Sequence, residues 1–511
     1  MRKRWRVARV LSSLLLFLSW LDGTYGLQLI AAPSVKCLMV GQGVEVSNDA
    51  IVAERMKCDG ATDDTVEFQR AIDAARKSAK RLVLPSGTCI VTSTIAIPDH
   101  IWIQGNGKLA TTIRRKSGVN LATDMLDLSG ASGDVTITDL AVDGNKDGNR
   151  SAGQYSLGAA GVQAVGASKL TIRRTRWINA YQAAIGLFVN QGQFVADALI
   201  ADNDFENNGT STTFTADQLC NSGDVAMRSP LRVKIVHNRS ENASGNFVCF
   251  GTNGNTGVGD VMVSGNIVHN AAGFGIALGG IAGKGAIVSK NILDQPSSRE
   301  SNIDLALWSD ITVADNHIVA GSACPQTGCA GIGDAPPAQR VTVSGNTIVA
   351  AKNVVGSLCV GLGGSELTIS GNKCENAGGA GIGIAVADKT QAHGIVISRN
   401  VVKNGSQAQV GLHAGIELFI ACGPGPKCTG GTGAISDVTI ENNAVYDEQT
   451  PRTQGYGVGI ALYGQTTGIT KLSILDNDLG RNGTRPILSR AIPLSDWVIR
   501  GNSGPNADAP Y

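Results

Sequence analysis

Along most of the chain, apolar and polar positions alternate in short runs that end on the same residue. Each run has two or three β-formers, two variable positions and then Asn. It closes on Asn203, Asn238, Asn266, Asn291, Asn316, Asn346, Asn372, Asn400, Asn443, Asn477 and Asn502, at intervals between 25 and 43 residues. Two earlier segments, Val135 to Leu140 and Leu170 to Thr175, keep the register with Leu140 and Thr175 in the Asn slot. A fixed strand phrase with variable spacing predicts a solenoid with loops inserted between coils. No coil can bury its apolar face alone, so the coils stack. Alternation puts every second Val, Ile or Leu inside. The Asn at the strand end is expected to sit in a tight bend and bond backbone groups of adjoining coils.

A second apolar strand follows each Asn, as in GFGIALGG, SNIDLALW, GAGIGIAV, HAGIELFIA and GYGVGIALYG. Two or three short strands per coil, with Gly at the corners, close a rung. The fold expected is all-β, a right-handed parallel β-helix over about residues 90 to 505, twelve rungs rising roughly 58 Å. A short helix near 64 to 79 caps its N-terminal end. An antiparallel sandwich also has many short strands, but it does not repeat one strand motif in one register.

Composition agrees with this picture. Gly makes up 65 of the 511 residues and charged residues 17%, against averages of roughly 7% and 25%. A formal net charge of +1 argues against a nucleic-acid partner, which selects a basic surface. It leaves room for a local groove that holds an acidic glycan.

Residues 1–26 are expected to be a signal peptide, a basic MRKRWRVARV followed by the apolar LSSLLLFLSWL. No later segment has the length and apolarity of a membrane span, so the protein is expected to be secreted or periplasmic. Eleven Cys suit that destination. Cys324–Cys329 and Cys422–Cys428 bracket short loops rich in Pro and Gly and are predicted to be local disulfides, with at least one more among Cys37, Cys58 and Cys89. Metal spacings of the CxxC type do not occur among them.

The segment CDGATDDTVEFQRAIDAARKSAKRLVLPSGTCIVTSTIAI closely resembles the N-terminal cap of the pectate-lyase-like β-helix superfamily, whose form reads GDGxxDDT, AIDAA, a strand and LPxGxY. Cys58 stands for the first Gly and Cys89 for the aromatic. Thr62, Asp63 and Asp64 supply an N-cap and first-turn acids, and Phe68, Ile72 and Ala75 a buried stripe. The organisation expected is then a signal peptide at 1–26, an extension at 27–57, this cap at 58–110 and coils over 111–511. ITDLAVDGNKDGN (Ile137 to Asn149) is similar to a segment of mannuronan C5-epimerase catalytic modules. The resemblance implies an acid- and imidazole-containing run one or two coils on. Asn179 to Gln193 has Tyr181 there but neither Asp nor His, so C5-epimerase activity is not expected.

Candidate chemistry follows from the strand phrase. In the G-I-x-L strands the slot x faces away from the core. It holds Ala277, Asp304, Gly333, Gly361, Ala385, Glu417 and Ala461, mostly small, as a surface hugged by an extended ligand requires. Asp304 and Glu417 interrupt the row about 19 Å apart, so each needs its own partner. Asp334 lies one rung from Asp304, at a spacing that suits acid/base work on a glycosidic bond. His413 accompanies Glu417, a pair suited to proton abstraction beside a carboxylate. Trp308 and Tyr463 are candidate sugar-stacking residues. Asp143, Asn145 and Asp147 match the start of a calcium loop, D-x-N-x-D-G, without the bidentate Glu at its twelfth position. They are the candidate ligands for Ca2+, and no other cofactor is indicated.

The function expected is that of a secreted enzyme cleaving or modifying a polysaccharide, an acidic, uronate-containing glycan, as a lyase or glycoside hydrolase. The alternative is a non-catalytic glycan-binding or structural β-helix. A trimeric, tailspike-like assembly subunit is a third class, disfavoured by the export signal. The expected partner is a polysaccharide, with no nucleic acid and no membrane beyond the signal segment. Oligomeric state is left open.

Overall fold

Among the described residues, strand follows strand from Ala50–Val52 to Val498–Arg500, interrupted by one α-helix of 14 residues, Thr65–Ser78. The computed structural model describes residues 49–509 apart from 120–123, 132, 150–155, 159–167, 190, 211–219, 252–254, 280–282, 296–300, 322–328, 335–336, 388, 422–432, 463–466 and 492–495. All belong to one compact unit, Asn48–Tyr511. The signal-peptide segment, Cys37, Cys324, Cys422, Cys428 and Tyr463 lie outside the described residues.

Three parallel sheets of 18, 14 and 14 strands run the length of the unit. Successive coils pair residue for residue, as in Val341 with Leu367 and Val343 with Ile369. The coil is a right-handed parallel β-helix, the hand that crossovers between parallel strands take. Pairing starts earlier than residue 90, since Ala50–Val52 already pairs with Arg81–Val83 in the first sheet. Val261, Val288, Val313, Val343, Ile369 and Ile397 are among the side chains that fill the interior.

The Asn column is a continuous hydrogen-bonded ladder. Asn316 donates from Nδ2 to the Val288 carbonyl and to Asn346 Oδ1, each at 2.9 Å. Its own Oδ1 accepts from the backbone N–H of Asn291 at 3.0 Å and from Asn291 Nδ2 at 2.9 Å. The same bonds recur from Asn203 to Asn502. The residue before each ladder Asn is left-handed, whether Asp202, His237, Lys290 and Asp315 or Gly265, Gly345 and Gly371. This is the tight bend the phrase implied. Thr175 continues the column by donating to Asn203 Oδ1, and Leu140 ends it with an apolar side chain.

The cap helix buries Phe68, Ile72 and Ala75. Its first-turn chemistry differs from expectation. Asp63 accepts the Thr65 N–H, whereas the Asp64 carboxylate turns back to the N–H groups of Lys57 and Cys58. The two departures from the GDGxxDDT form prove to be partners, because Cys58 and Cys89 form a disulfide. Cys58 has φ +46°, which accounts for Gly at that place in the family form. Further disulfides join Cys220 to Cys249 and Cys359 to Cys374, and Cys329 is also disulfide-bonded. These bonds are compatible with an oxidising, extracellular setting. Among the described residues no helix is long and apolar enough to cross a membrane.

Candidate functional site on the outer face of the third sheet

Inward residues of the third sheet, such as Ile303, Ile332, Val360, Ile382 and Ile416, are buried in the core. Alternation turns the residue after each of them outward. Register fixes that outward row as Ala226, Cys249, Ala277, Asp304, Gly333, Gly361, Gly383, Glu417 and Gly459. Two sequence assignments change. Ala385 pairs with Phe419, one outward step further along. Ala461 lies past the strand Tyr456–Ile460, left-handed and fully buried. Asp304 and Glu417 keep their places, four rungs apart.

The row floors a trough along the coil axis, a cavity of about 320 Å³. Asp304 and Asp334 line one end, His413 and Phe419 the other, with the bare backbone of Gly333 and Gly361 between. Asp304 pairs with Gly333, so the Cα atoms of Asp304 and Asp334 are one rung and one residue apart, roughly 6 Å.

Asp334 sits in a backbone collar. It accepts the N–H of Ala338 at 2.9 Å and of Gly363 at 2.8 Å. The collar needs glycine, because a Cβ on Gly364 would lie 1.5 Å from the Ala338 carbonyl oxygen. Burial nevertheless pushes the Asp334 carboxyl up to about 8, with the neighbouring Asp304 carboxylate adding to the rise and the N–H groups opposing it. The rise favours the protonated form of Asp334.

Glu417 is not the open surface acid its slot implied, being only 1% exposed. Its carboxylate curls back on its own strand start, accepting the Ala414 N–H at 2.7 Å and lying 3.2 Å from His413 Nδ1. Gln409 Oε1 is 2.8 Å from the other ring nitrogen. The imidazole is thus clamped between an acid and an amide, with its edge on the trough.

Trp308 is corrected outright, being 1% exposed and packed in the core with its ring centroid 6.4 Å from that of Phe250. The strand Ile303–Asp304 is only two residues long. The chain then turns through left-handed Leu307, and the Trp308 N–H bonds the Leu305 carbonyl. Alternation is lost there, and the indole swings inward. Phe419 is the aromatic that does border the trough, and counting outward slots along HAGIELFIA would have found it. Asp310, two residues after Trp308, lies on the first sheet and is ion-paired with Arg340 at 2.6 Å.

The calcium-like segment stands several coils nearer the N-terminus. Asp143 accepts from the Asn145 N–H at 2.9 Å and Asn179 Nδ2 at 3.1 Å, with Arg114 at 3.3 Å. Asn145 donates to the Arg115 carbonyl and to Ser117. These two turn inward to protein partners, while Asp147 is exposed. Tyr181 is half-buried just before the strand Ala183–Leu187.

No curated protein matches the chain. Solved structures similar to it include the A-module of the Azotobacter vinelandii mannuronan C-5 epimerase AlgE6, at 15% identity, covering 89% of this chain and 99% of that one, with a TM-score of 0.43. Another is the catalytic unit of a GH87 α-1,3-glucanase from Streptomyces thermodiastaticus, at 14% identity, 89% and 71% coverage and a TM-score of 0.44. A third is PfbA, a surface adhesin of Streptococcus pneumoniae, at 15% identity, 78% and 92% coverage and a TM-score of 0.43. The family model described as rhamnogalacturonase A/epimerase, pectate lyase-like, matches residues 54–328, more than half of the 511 residues, and the chain belongs to that family.

Proposed function

We propose that this protein hydrolyses a polysaccharide lying along the trough of the third sheet, with Asp334 as general acid and Asp304 as its partner. One observation carries the proposal. Two carboxyls stand one rung apart at the end of a glycine-floored trough, and burial raises one of them, Asp334, above the usual carboxylate range. Two carboxyls with different tasks are what glycosidic cleavage requires. Asp334 gives its proton to the glycosidic oxygen as the C–O bond breaks. Asp304 takes a proton from the incoming water, whose oxygen forms the new bond to the anomeric carbon, and the pair then re-equilibrates its proton with solvent.

The runner-up is a glycan-binding protein without turnover. The backbone collar favours it, since N–H groups on both oxygens of Asp334 also describe a turn-stabilising aspartate. Asp304→Asn and Asp334→Asn separate the two. On a polysaccharide that releases reducing ends, each substitution is expected to cut turnover by about 10²–10⁴-fold, with the thermal midpoint held in Asp304→Asn and lowered in Asp334→Asn by the lost collar bond. Full activity in both folded variants sinks the proposal. Binding without turnover in the wild type supports the runner-up. Absorbance of unsaturated products alongside the new reducing ends would move the chemistry to a lyase and the base to His413.

A further inference from the structure

We propose that the sugar bound between Asp304 and Asp334 is uncharged, so that the polysaccharide is neutral at the cleaved residue. The inference rests on the proposed function and narrows its substrate class. The acidic end of the trough presents two carboxyls side by side. Asp304 already acts on Asp334 as a neighbouring negative charge, and a uronate carboxylate placed there would meet the same field. Like charges held together in a partly desolvated site disfavour binding.

Among the described residues, the far end offers an acidic sugar no Lys or Arg. His413 is set against the Glu417 carboxylate and the Gln409 amide, so any positive charge on the ring is matched from behind. What remains fits an uncharged pyranose. Phe419 and Leu358 offer apolar surface to its C–H faces, the glycine floor admits a flat ring, and the carboxyls accept from its hydroxyls.

The test uses matched polymers. Polygalacturonate and alginate are each compared with the same polymer after chemical reduction of its carboxyl groups, alongside neutral glucans, galactans, xylans and arabinans. Retention in affinity electrophoresis and release of reducing ends are both read, with the full-length protein. Each reduced polymer is expected to be held or cleaved at least about tenfold better than its acidic parent, with the productive substrate among the neutral ones. A gain-of-charge variant, Ala385→Lys, should shift relative retention toward the acidic polymers, because Ala385 lines the trough. An acidic polymer preferred over its reduced form, and cleaved in a way that Asp304→Asn abolishes, overturns the inference while leaving the proposed function standing. Cleavage undiminished in Asp304→Asn and Asp334→Asn overturns the proposed function. If no polymer is held or cleaved, both fall.

Discussion

Two columns of side chains climb this coil at the same rung spacing, and they handle polar groups in opposite ways. The Asn ladder lies inside, and each side chain repeats its neighbour's bonds, so Asn238, Asn266, Asn291 and Asn316 are interchangeable in environment. The outward row of the third sheet is Ala and Gly for most of its length, broken by acids whose surroundings are all different. Asp334, beside the row, is collared by backbone N–H groups; Glu417 is folded against His413; Asp304 stands on the trough. Repetition marks a polar residue that satisfies the fold. A polar residue that interrupts a repeat marks a place where the coil does something besides stack.

The strongest way to break that comparison is to remove one ladder rung. In Asn316→Ala, the buried Asn291 N–H loses its acceptor and the Val288 carbonyl its donor. The side-chain bonds to Asn291 and Asn346 go with them. Unmade bonds of buried groups cost about 1–3 kcal/mol each, so the variant is expected to lose about 3 kcal/mol or more, read in chemical denaturation. The loss should be local, since coils couple mainly to their neighbours. Glycan turnover in the protein that remains folded should be unchanged.

Next in size is Glu417→Gln. The substitution keeps the shape but removes the charge that holds the Ala414 N–H and His413. Bonds to a charged group contribute about 1.5–3 kcal/mol, so a loss of about 2 kcal/mol is expected in the same measurement. If the Asp pair is the catalytic centre, the pH profile of turnover keeps its alkaline limb near 8, because that limb belongs to Asp334. Loss of the limb in Glu417→Gln would reassign the chemistry to the His413 end.

A smaller effect follows from the raised carboxyls. Asp334 rises to about 8 and the fully buried Asp224, held by Ser240 and Asn208, to about 7, burial being the first cause in both. A carboxyl whose folded value exceeds its unfolded value of 3.8 stabilises the fold relative to high pH. That contribution is complete below about pH 4 and is lost as pH rises to about 7 for Asp224 and 8 for Asp334. The thermal midpoint should therefore fall between pH 4 and 8, and Asp224→Asn should flatten the fall. A midpoint that rises over this window would show that Asp224 is ionised in the folded protein.

The same contrast explains what the sequence could disclose. The coil, its register and its cap were legible because they repeat: a ladder Asn and its left-handed neighbour announce themselves at every turn. Of the residues around the trough, Asp304 and Glu417 could be read because they interrupt the Ala/Gly row, and Asp334 and His413 by their spacing from them. Trp308 was misplaced because left-handed Leu307 ends the alternation that would have turned it outward. The accessibility of Glu417 was misjudged because an intrastrand bond to Ala414 has no periodic trace. A cap disulfide among Cys37, Cys58 and Cys89 could be expected from the sequence, but only the paired strands Asp59–Asp63 and Gly87–Val91 show that Cys58 and Cys89 are the two that meet.

The smallest effect belongs to a third column, on the outer corner of the first sheet, which repeats in position and mixes acidic and basic side chains. Asp134, Lys169, Asp197, Arg232, Asp260, Asp310 and Arg340 are all left-handed and stack from coil to coil. Arg232 pairs with Asp197 and Arg340 with Asp310, both at 2.6 Å. The pairing pulls Asp197 and Asp310 below the usual carboxylate range and raises both arginines. Like the Asn ladder, this column repeats, but it does so in water. Solvent and salt screen such pairs, and two long side chains lose freedom in forming them. Arg232→Ala is therefore expected to leave the thermal midpoint within error of the wild type, at low and at physiological salt alike. A clear drop at low salt that vanishes in 1 M NaCl would mean that the corner charges act as a network along the coil, and that repetition on the surface holds this solenoid together as repetition inside it does.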